Sequence, residues 1–215
     1  MKKLIDLTLF TADTKSLVME QRLNELLQDL PVSLHARALR YKSEESSYNY
    51  VVGRLLLKRG LTAFNIEAGL EDVEFSASGK PTLPNLEFNI SHSDSQVVCA
   101  FSKSGSIGVD LEKVKPVDFS DFTSMFTANE WKAIHSSTNS LQTFYWFWTR
   151  KESIIKALGL SLSYLHQIEL DVSSTEFIVD GKTWFLRELE IGQDFIAMIC
   201  SANEIDKISI VNHVF

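Results

Sequence analysis

Three carboxylates and a lysine are spaced for metal-assisted chemistry. In IGVDLEKV, residues 107–114, apolar and acidic side chains alternate, and successive side chains of an extended strand point to opposite faces. Ile107, Val109 and Leu111 then face one way, while Asp110 and Glu112 share the other side. Further on, FWTRKESIIKALG, residues 147–159, reads as an amphipathic helix in which Trp148, Glu152 and Lys156 recur every four residues. At about 3.6 residues per turn, that interval stacks an aromatic, an acid and a base along one face. If this helix meets the strand, Asp110, Glu112 and Glu152 make an all-oxygen site for a hard cation. Magnesium suits it best, because Mg2+ takes one or two carboxylates and completes its shell with water and substrate phosphate. The residues alone also suit a plain reading: an exposed strand edge for the two acids, and for Lys156 a helix ion pair worth about 0.2–0.5 kcal/mol.

A third stretch, GKPTLPNLEFNISHS, residues 79–93, places Lys80 in a rigid turn before Pro81. It then offers Asn89, Ser91, His92 and Ser93 as hydrogen-bonding groups beside a strand. Such a loop could hold a phosphate. His35, His135, His166 and His213 have no partner at ligand-like spacing and read as structural. Cys99 and Cys200 sit in VVCAF and AMICS, apolar strand-like settings that predict buried free thiols rather than a zinc site or a redox pair.

The elements that must position these residues follow from periodicity. Lys15 to Leu30 has helical apolar spacing and is followed by Pro31, and Ser47 to Asn65 repeats the pattern. Glu74 to Leu111 breaks into short apolar runs separated by polar turns, which predicts strands. Helices are expected again over Asn129 to Ile134 and Leu141 to Leu158. HQIELDV, EFIVDGKTWFLREL, DFIAMICSA and KISIVNHVF then return to strands, with a hairpin turn at Asp180-Gly181. Helices followed by strands in each half predict an α+β fold with antiparallel sheets. The expected division is 1–104 and 105–215, two halves packed together without a flexible linker.

A chain of 215 residues with 45% hydrophobic content is long enough to bury a sizeable core. The net charge of −7 argues against general nucleic-acid binding, which needs clustered Lys and Arg. The densest basic clusters are ARALRYK and GRLLLKRG, where a solvated helix face is the plain reading. No apolar run approaches membrane-spanning length and the N-terminus has no plausible cleavage site, so the expected location is cytoplasmic, without a membrane partner.

Taken in order, GKP at 79–81, FNISHS at 88–93, GVDLE at 108–112 and WTRKESIIK at 148–156 resemble the motifs of the 4'-phosphopantetheinyl transferases, specifically their long, Sfp-type group. The resemblance implies two similar α+β halves in one chain, a pseudo-dimer that works as a monomer with coenzyme A in the cleft between them. It implies transfer of the phosphopantetheine arm to a serine of an apo acyl or peptidyl carrier protein, releasing adenosine 3',5'-bisphosphate. Asp110, Glu112 and Glu152 match the family's metal-binding acids, and Glu152 or Glu112 is the expected general base. Lys156 matches a lysine that reaches the pyrophosphate, His92 a histidine on a coenzyme A phosphate, and Lys80 a lysine on the nucleotide side. Pro81 and Ser91 belong to the same motifs. Asn49 stands where the family commonly has an arginine for the 3'-phosphate, leaving Arg40, Arg37 or Arg54 to compensate. The phenylalanine-rich stretch at Phe119, Phe122, Met125 and Phe126 is a candidate carrier surface. The alternative from another class is a degenerate module that binds coenzyme A or a carrier without transferring anything.

Overall fold

Strand alternation divides the apolar residues into three cores, and that division organises the molecule. The computed structural model describes residues 4–215. Its strands are β1 (Leu4–Asp13), β2 (Glu74–Phe75), β3 (Pro81–Thr82), β4 (Glu87–Ser93), β5 (Gln96–Ser102), β6 (Ile107–Lys113), β7 (Glu176–Val179), β8 (Lys182–Leu189), β9 (Phe195–Ser201) and β10 (Glu204–Asn212). The helices are α1 (Lys15–Met19), α2 (Leu23–Gln28), α3 (Val32–Ala38), α4 (Glu44–Ala63), α5 (Ala128–Ser136) and α6 (Ser140–Leu158). Two four-stranded sheets form, in the orders β10-β1-β5-β4 and β6-β9-β8-β7, with β2-β3 a separate pair.

Along β5, Val97, Cys99 and Phe101 join the core under α4, while Val98 and Ala100 point the opposite way. Along β9, Met198 and Cys200 join the core under α6, while Ala197 and Ile199 point the opposite way. The residues pointing away from both helices meet, with Leu7, Leu9, Ile107, Val109 and Leu111, in a third core. The period of two therefore lets each sheet pack a helix on one face and the other sheet's strands on the opposite face. The fold class is α+β, as expected. Cys99 and Cys200 are buried free thiols, also as expected. No described helix is long and apolar enough to cross a membrane.

Three elements differ from the sequence expectation. Leu4–Asp13, where no element was expected, is a full strand, β1, which pairs parallel with β10; the sheets are otherwise antiparallel. The helix expected over Lys15 to Leu30 is two short ones, because Gln21 adopts a left-handed φ of 54° between them. HQIELDV forms no strand. Ile168 and Leu170 are buried there, so the alternation records burial against α6 without a ladder partner. The link between β5 and β6 contains the 104/105 division, and β10 crosses back over it to reach β1. The Asp180-Gly181 turn is present, with φ of 51° and 72°, the mirror-image turn geometry that suits a two-residue hairpin.

Candidate active site

The edge strands of the two sheets, β4 and β6, lie side by side and are joined through side chains. Asn89, Ser91 and Ser93, every second residue of β4, face β6. The Asn89 amide oxygen accepts from the Val109 N–H at 2.8 Å, Ser91 donates to Asp110 Oδ1 at 3.0 Å, and Ser93 donates to Glu112 Oε2 at 2.8 Å. Ser93 also accepts from the Lys113 N–H at 3.1 Å. FNISHS is thus a strand, and its polar face holds the acids. The polar spacing at 89, 91 and 93 was the signal in the sequence.

Helix α6 crosses β6 at Gly108. A Cβ there would stand 2.2 Å from both the Ser153 carbonyl oxygen and the Ala157 amide nitrogen, so only glycine permits this approach. The close crossing brings Lys156 onto Asp110: its ammonium donates to Asp110 Oδ1 at 2.6 Å and to Ser91 Oγ at 3.1 Å. Burial disfavours the Lys156 cation, but Asp110, Glu152 and Glu112 together hold its pKa above the ordinary lysine value. Asp110 is 2% exposed, and its other oxygen, Oδ2, is buried without a partner.

Glu152, one turn of α6 before Lys156, is held protonated up to about pH 7. Burial is the main cause, and the Asp110 and Glu112 charges add to it while Lys156 opposes. The Glu112 pKa is also raised, by burial and then by Asp110, against hydrogen bonding from Ser93 and Trp148. The three carboxylates thus feel one another. Among the described residues no group of three or more acids, histidines or cysteines stands at ion-holding distances; Lys156 supplies the countercharge on Asp110. The donor set nevertheless fits a divalent cation. A buried carboxylate oxygen has no partner, and two neighbouring acids are destabilised by like charge, which a cation relieves.

The other expected residues fall differently. His92 points to the opposite face of β4 and is exposed; desolvation of its ring, then Lys156 and Arg54, lowers its pKa. Arg40 is exposed beyond α3 and donates to the Ala36 carbonyl at 3.1 Å. With Arg37 and Tyr41 it lines a surface depression, and Arg37 and Arg54 stack on Tyr50 at 5.4 and 4.7 Å. Lys80, expected on the nucleotide side, is engaged with the protein. Its ammonium donates to Ser106 Oγ, to the Ile107 carbonyl at 3.2 Å and to the Ala157 carbonyl at 3.0 Å, tying the start of β6 to the end of α6. Pro81 pairs with Phe75 in the β2-β3 ladder.

Asn49 is 3% exposed, and both ends of its amide are bonded. Its amide donates to the Asp94 carbonyl at 2.7 Å and its oxygen accepts from Thr14 at 3.0 Å. It secures the β4-β5 turn. Phe126 is buried and Phe119, Phe122 and Met125 are half-buried against the α6 core, with Phe122 and Phe126 edge-on or tilted against Phe144 and Trp148.

Residues 106–200 match the model of the 4'-phosphopantetheinyl transferase superfamily. The chain is 30% identical over 200 residues to the 4'-phosphopantetheinyl transferase ffp of Bacillus subtilis, covering 85% of this chain and 87% of that protein. It is also 30% identical to HetI of Nostoc sp., another 4'-phosphopantetheinyl transferase, over 82% of this chain and 81% of HetI. Sfp of Bacillus subtilis, named likewise, is 30% identical over 76% and 78% of the two chains. An α+β frame with acids converging where two edge strands meet a helix is thus found in a chain with transferase relatives along most of its length. This protein belongs to the 4'-phosphopantetheinyl transferase superfamily.

Proposed function

We propose that the protein transfers the 4'-phosphopantetheine arm of coenzyme A to a serine of an apo acyl or peptidyl carrier protein, with Mg2+ as its metal. The observation that supports this most is the meeting of Asp110, Glu112, Glu152 and Lys156 between β4, β6 and α6. Asp110, Glu112 and Glu152 would hold the metal, which when bound neutralises charge on the pyrophosphate. Lys156, already aimed at this point, turns from Asp110 to a phosphate oxygen and stabilises the developing negative charge. The serine Oγ attacks the phosphorus that carries the pantetheine, and the bond from that phosphorus to the bridging oxygen breaks. Adenosine 3',5'-bisphosphate leaves with the bond's electron pair, and the serine proton passes to a carboxylate. Glu152 or Glu112, both beside the attack point, is that carboxylate.

On the nucleotide side, His92 and the arginines at 37, 40 and 54 offer cationic and hydrogen-bonding contacts for the phosphates. Ser91 holds Asp110, and Lys80 and Pro81 shape the wall beneath. Asn89, Ser91 and Ser93 of β4 and the acids of β6 and α6 all come from one chain, which supports action as a monomer; we place that action in the cytoplasm. Incubating the protein with coenzyme A, Mg2+ and a panel of apo carrier proteins tests the reading by intact mass. One phosphopantetheine added to a carrier, abolished by a chelator, is expected. Coenzyme A binding with no mass gain on any carrier would replace it by the degenerate binding module.

A further inference from the structure

Next to Glu152 in sequence lies a charged residue that the proposed reaction does not use. Lys151 is wholly buried, and so is its partner: Lys151 Nζ stands 2.6 Å from Glu130 Oε2, both side chains 0% exposed. The ammonium also donates to the carbonyls of Met125 at 3.0 Å and Leu165 at 2.9 Å. Glu130 accepts in turn from the backbone N–H groups of Thr127 at 2.8 Å and Leu170 at 3.0 Å. Capping its own helix explains the Thr127 bond, as in an ordinary capping box. It does not explain why the acid is buried or why a lysine meets it.

The geometry of α6 gives the pair a purpose. Each residue advances a helix by about 100°. Ser153 and Ala157, which press on Gly108, therefore lie about 120–160° around the helix from Lys151. Within a helix whose apolar side chains already pack the second core, two fixed contacts stand on roughly opposite sides: β6 at Gly108, and Glu130 with the carbonyls of Met125 and Leu165. Glu152 and Lys156, about 100° and 140° from Lys151, fall in the arc between them, facing Asp110. A packed contact at Gly108 alone leaves a rolling motion about β6. The buried pair and its four backbone bonds oppose that motion from the far side, reaching α5 and the loop at 165–170.

We infer that Glu130 and Lys151 are positioning residues that set the rotation of α6, and through it the aim of Glu152 at the site it shares with Asp110. The inference rests on the metal reading above. Replacing a buried ion pair by neutral groups of similar size is commonly tolerated, whereas removing one partner leaves a buried charge uncompensated. The double variant Glu130→Gln/Lys151→Met keeps bulk and the helix cap while removing the electrostatic clamp.

The experiment measures Mn2+ binding directly and backbone amide exchange over residues 150–156 relative to β6, in wild type and double variant, alongside the melting temperature. Mn2+ affinity should fall at least about ten-fold, and exchange over 150–156 should rise at least about ten-fold, in a variant that still melts cooperatively. A folded variant with unchanged Mn2+ affinity or unchanged exchange overturns the inference, whatever its melting temperature; the pair would then serve stability alone. If the double variant does not fold, Glu130→Asp, which keeps the charge pair but shortens its reach to Lys151, carries the same two readouts. If wild type itself binds no Mn2+, the metal assignment fails separately, and the exchange ratio alone decides whether the pair positions α6.

Discussion

Substituting Gly108 by alanine perturbs the site without touching any polar group in it. The added Cβ would meet the Ser153 carbonyl oxygen and the Ala157 nitrogen at 2.2 Å. Both are backbone atoms inside α6, so no side-chain rotation relieves the contact. Moving from 2.2 Å to the 3.4 Å at which ordinary contact begins requires α6 to lift by about 1.2 Å. Overpacking of this kind costs about 1–3 kcal/mol, and the backbone contact argues for the upper part of that range. At about 2–4 °C per kcal/mol for a chain of this size, the melting temperature should fall by about 5–10 °C. Glu152 and Lys156 ride on the lifted helix, and a misplacement of about 1 Å at a reacting centre is worth about 100-fold in rate. Steady-state transfer to a carrier and thermal melting of the same preparation measure both effects. A Gly108→Ala protein with wild-type turnover would refute the claim that α6 must press on β6 to aim its acid and lysine. A melting drop without loss of turnover would do the same.

Other perturbations separate the site from its supports. Asn49→Arg should lower stability by about 3 kcal/mol, because it removes the Thr14 and Asp94 bonds and buries an uncompensated cation; tighter coenzyme A binding by a stably folded variant would sink the buried-support reading. Lys80→Met should lower the melting temperature, by about 1–3 kcal/mol of lost bonding to carbonyls at the end of α6, and leave coenzyme A affinity within about two-fold; a ten-fold affinity loss at unchanged stability would return Lys80 to the phosphates. Glu152 sets a pH dependence whose sign is fixed. Its folded pKa of about 7 exceeds the ordinary 4.5, so between those values the folded chain keeps a proton that the unfolded chain releases. Its contribution to stability therefore falls as pH rises through that window. In a chelator, wild type should lose more melting temperature from pH 5 to 8 than Glu152→Gln does; equal slopes would contradict the shifted acid.

The parts of the structure that strand and helix periodicity govern were legible in advance. IGVDLEKV behaves as alternation requires, with Ile107, Val109 and Leu111 in the shared core and Asp110 bonded to Ser91 and Lys156 on the other side. The spacing of Glu152 and Lys156 places both beside Asp110 because α6 is continuous through them. What periodicity cannot give is the partner. The pairing of β1 with β10 joins residues some two hundred positions apart, and nothing local in LIDLTLFTAD specifies it. Lys80 read as a lysine on the nucleotide side, yet it ends on the backbone carbonyls of Ile107 and Ala157, and Lys151 on those of Met125 and Leu165. The bonds of Asn49 to Thr14 and Asp94 likewise join it to segments that arrive only through the fold. Gln21 broke a helix that apolar spacing supported, since a left-handed φ at a single residue leaves no trace in hydrophobic pattern.

The central claim is that Asp110 anchors a metal-dependent transfer. Asp110→Ala removes the carboxylate whose Oδ2 is buried and unpartnered, leaving the three cores untouched. The most direct measurement is the initial rate of carrier modification by intact mass, as a function of Mg2+ concentration, for wild type and Asp110→Ala, with melting curves to verify the fold. The account predicts a folded variant whose Mg2+-dependent transfer is abolished. A folded Asp110→Ala protein with near-normal turnover and Mg2+ response would contradict it.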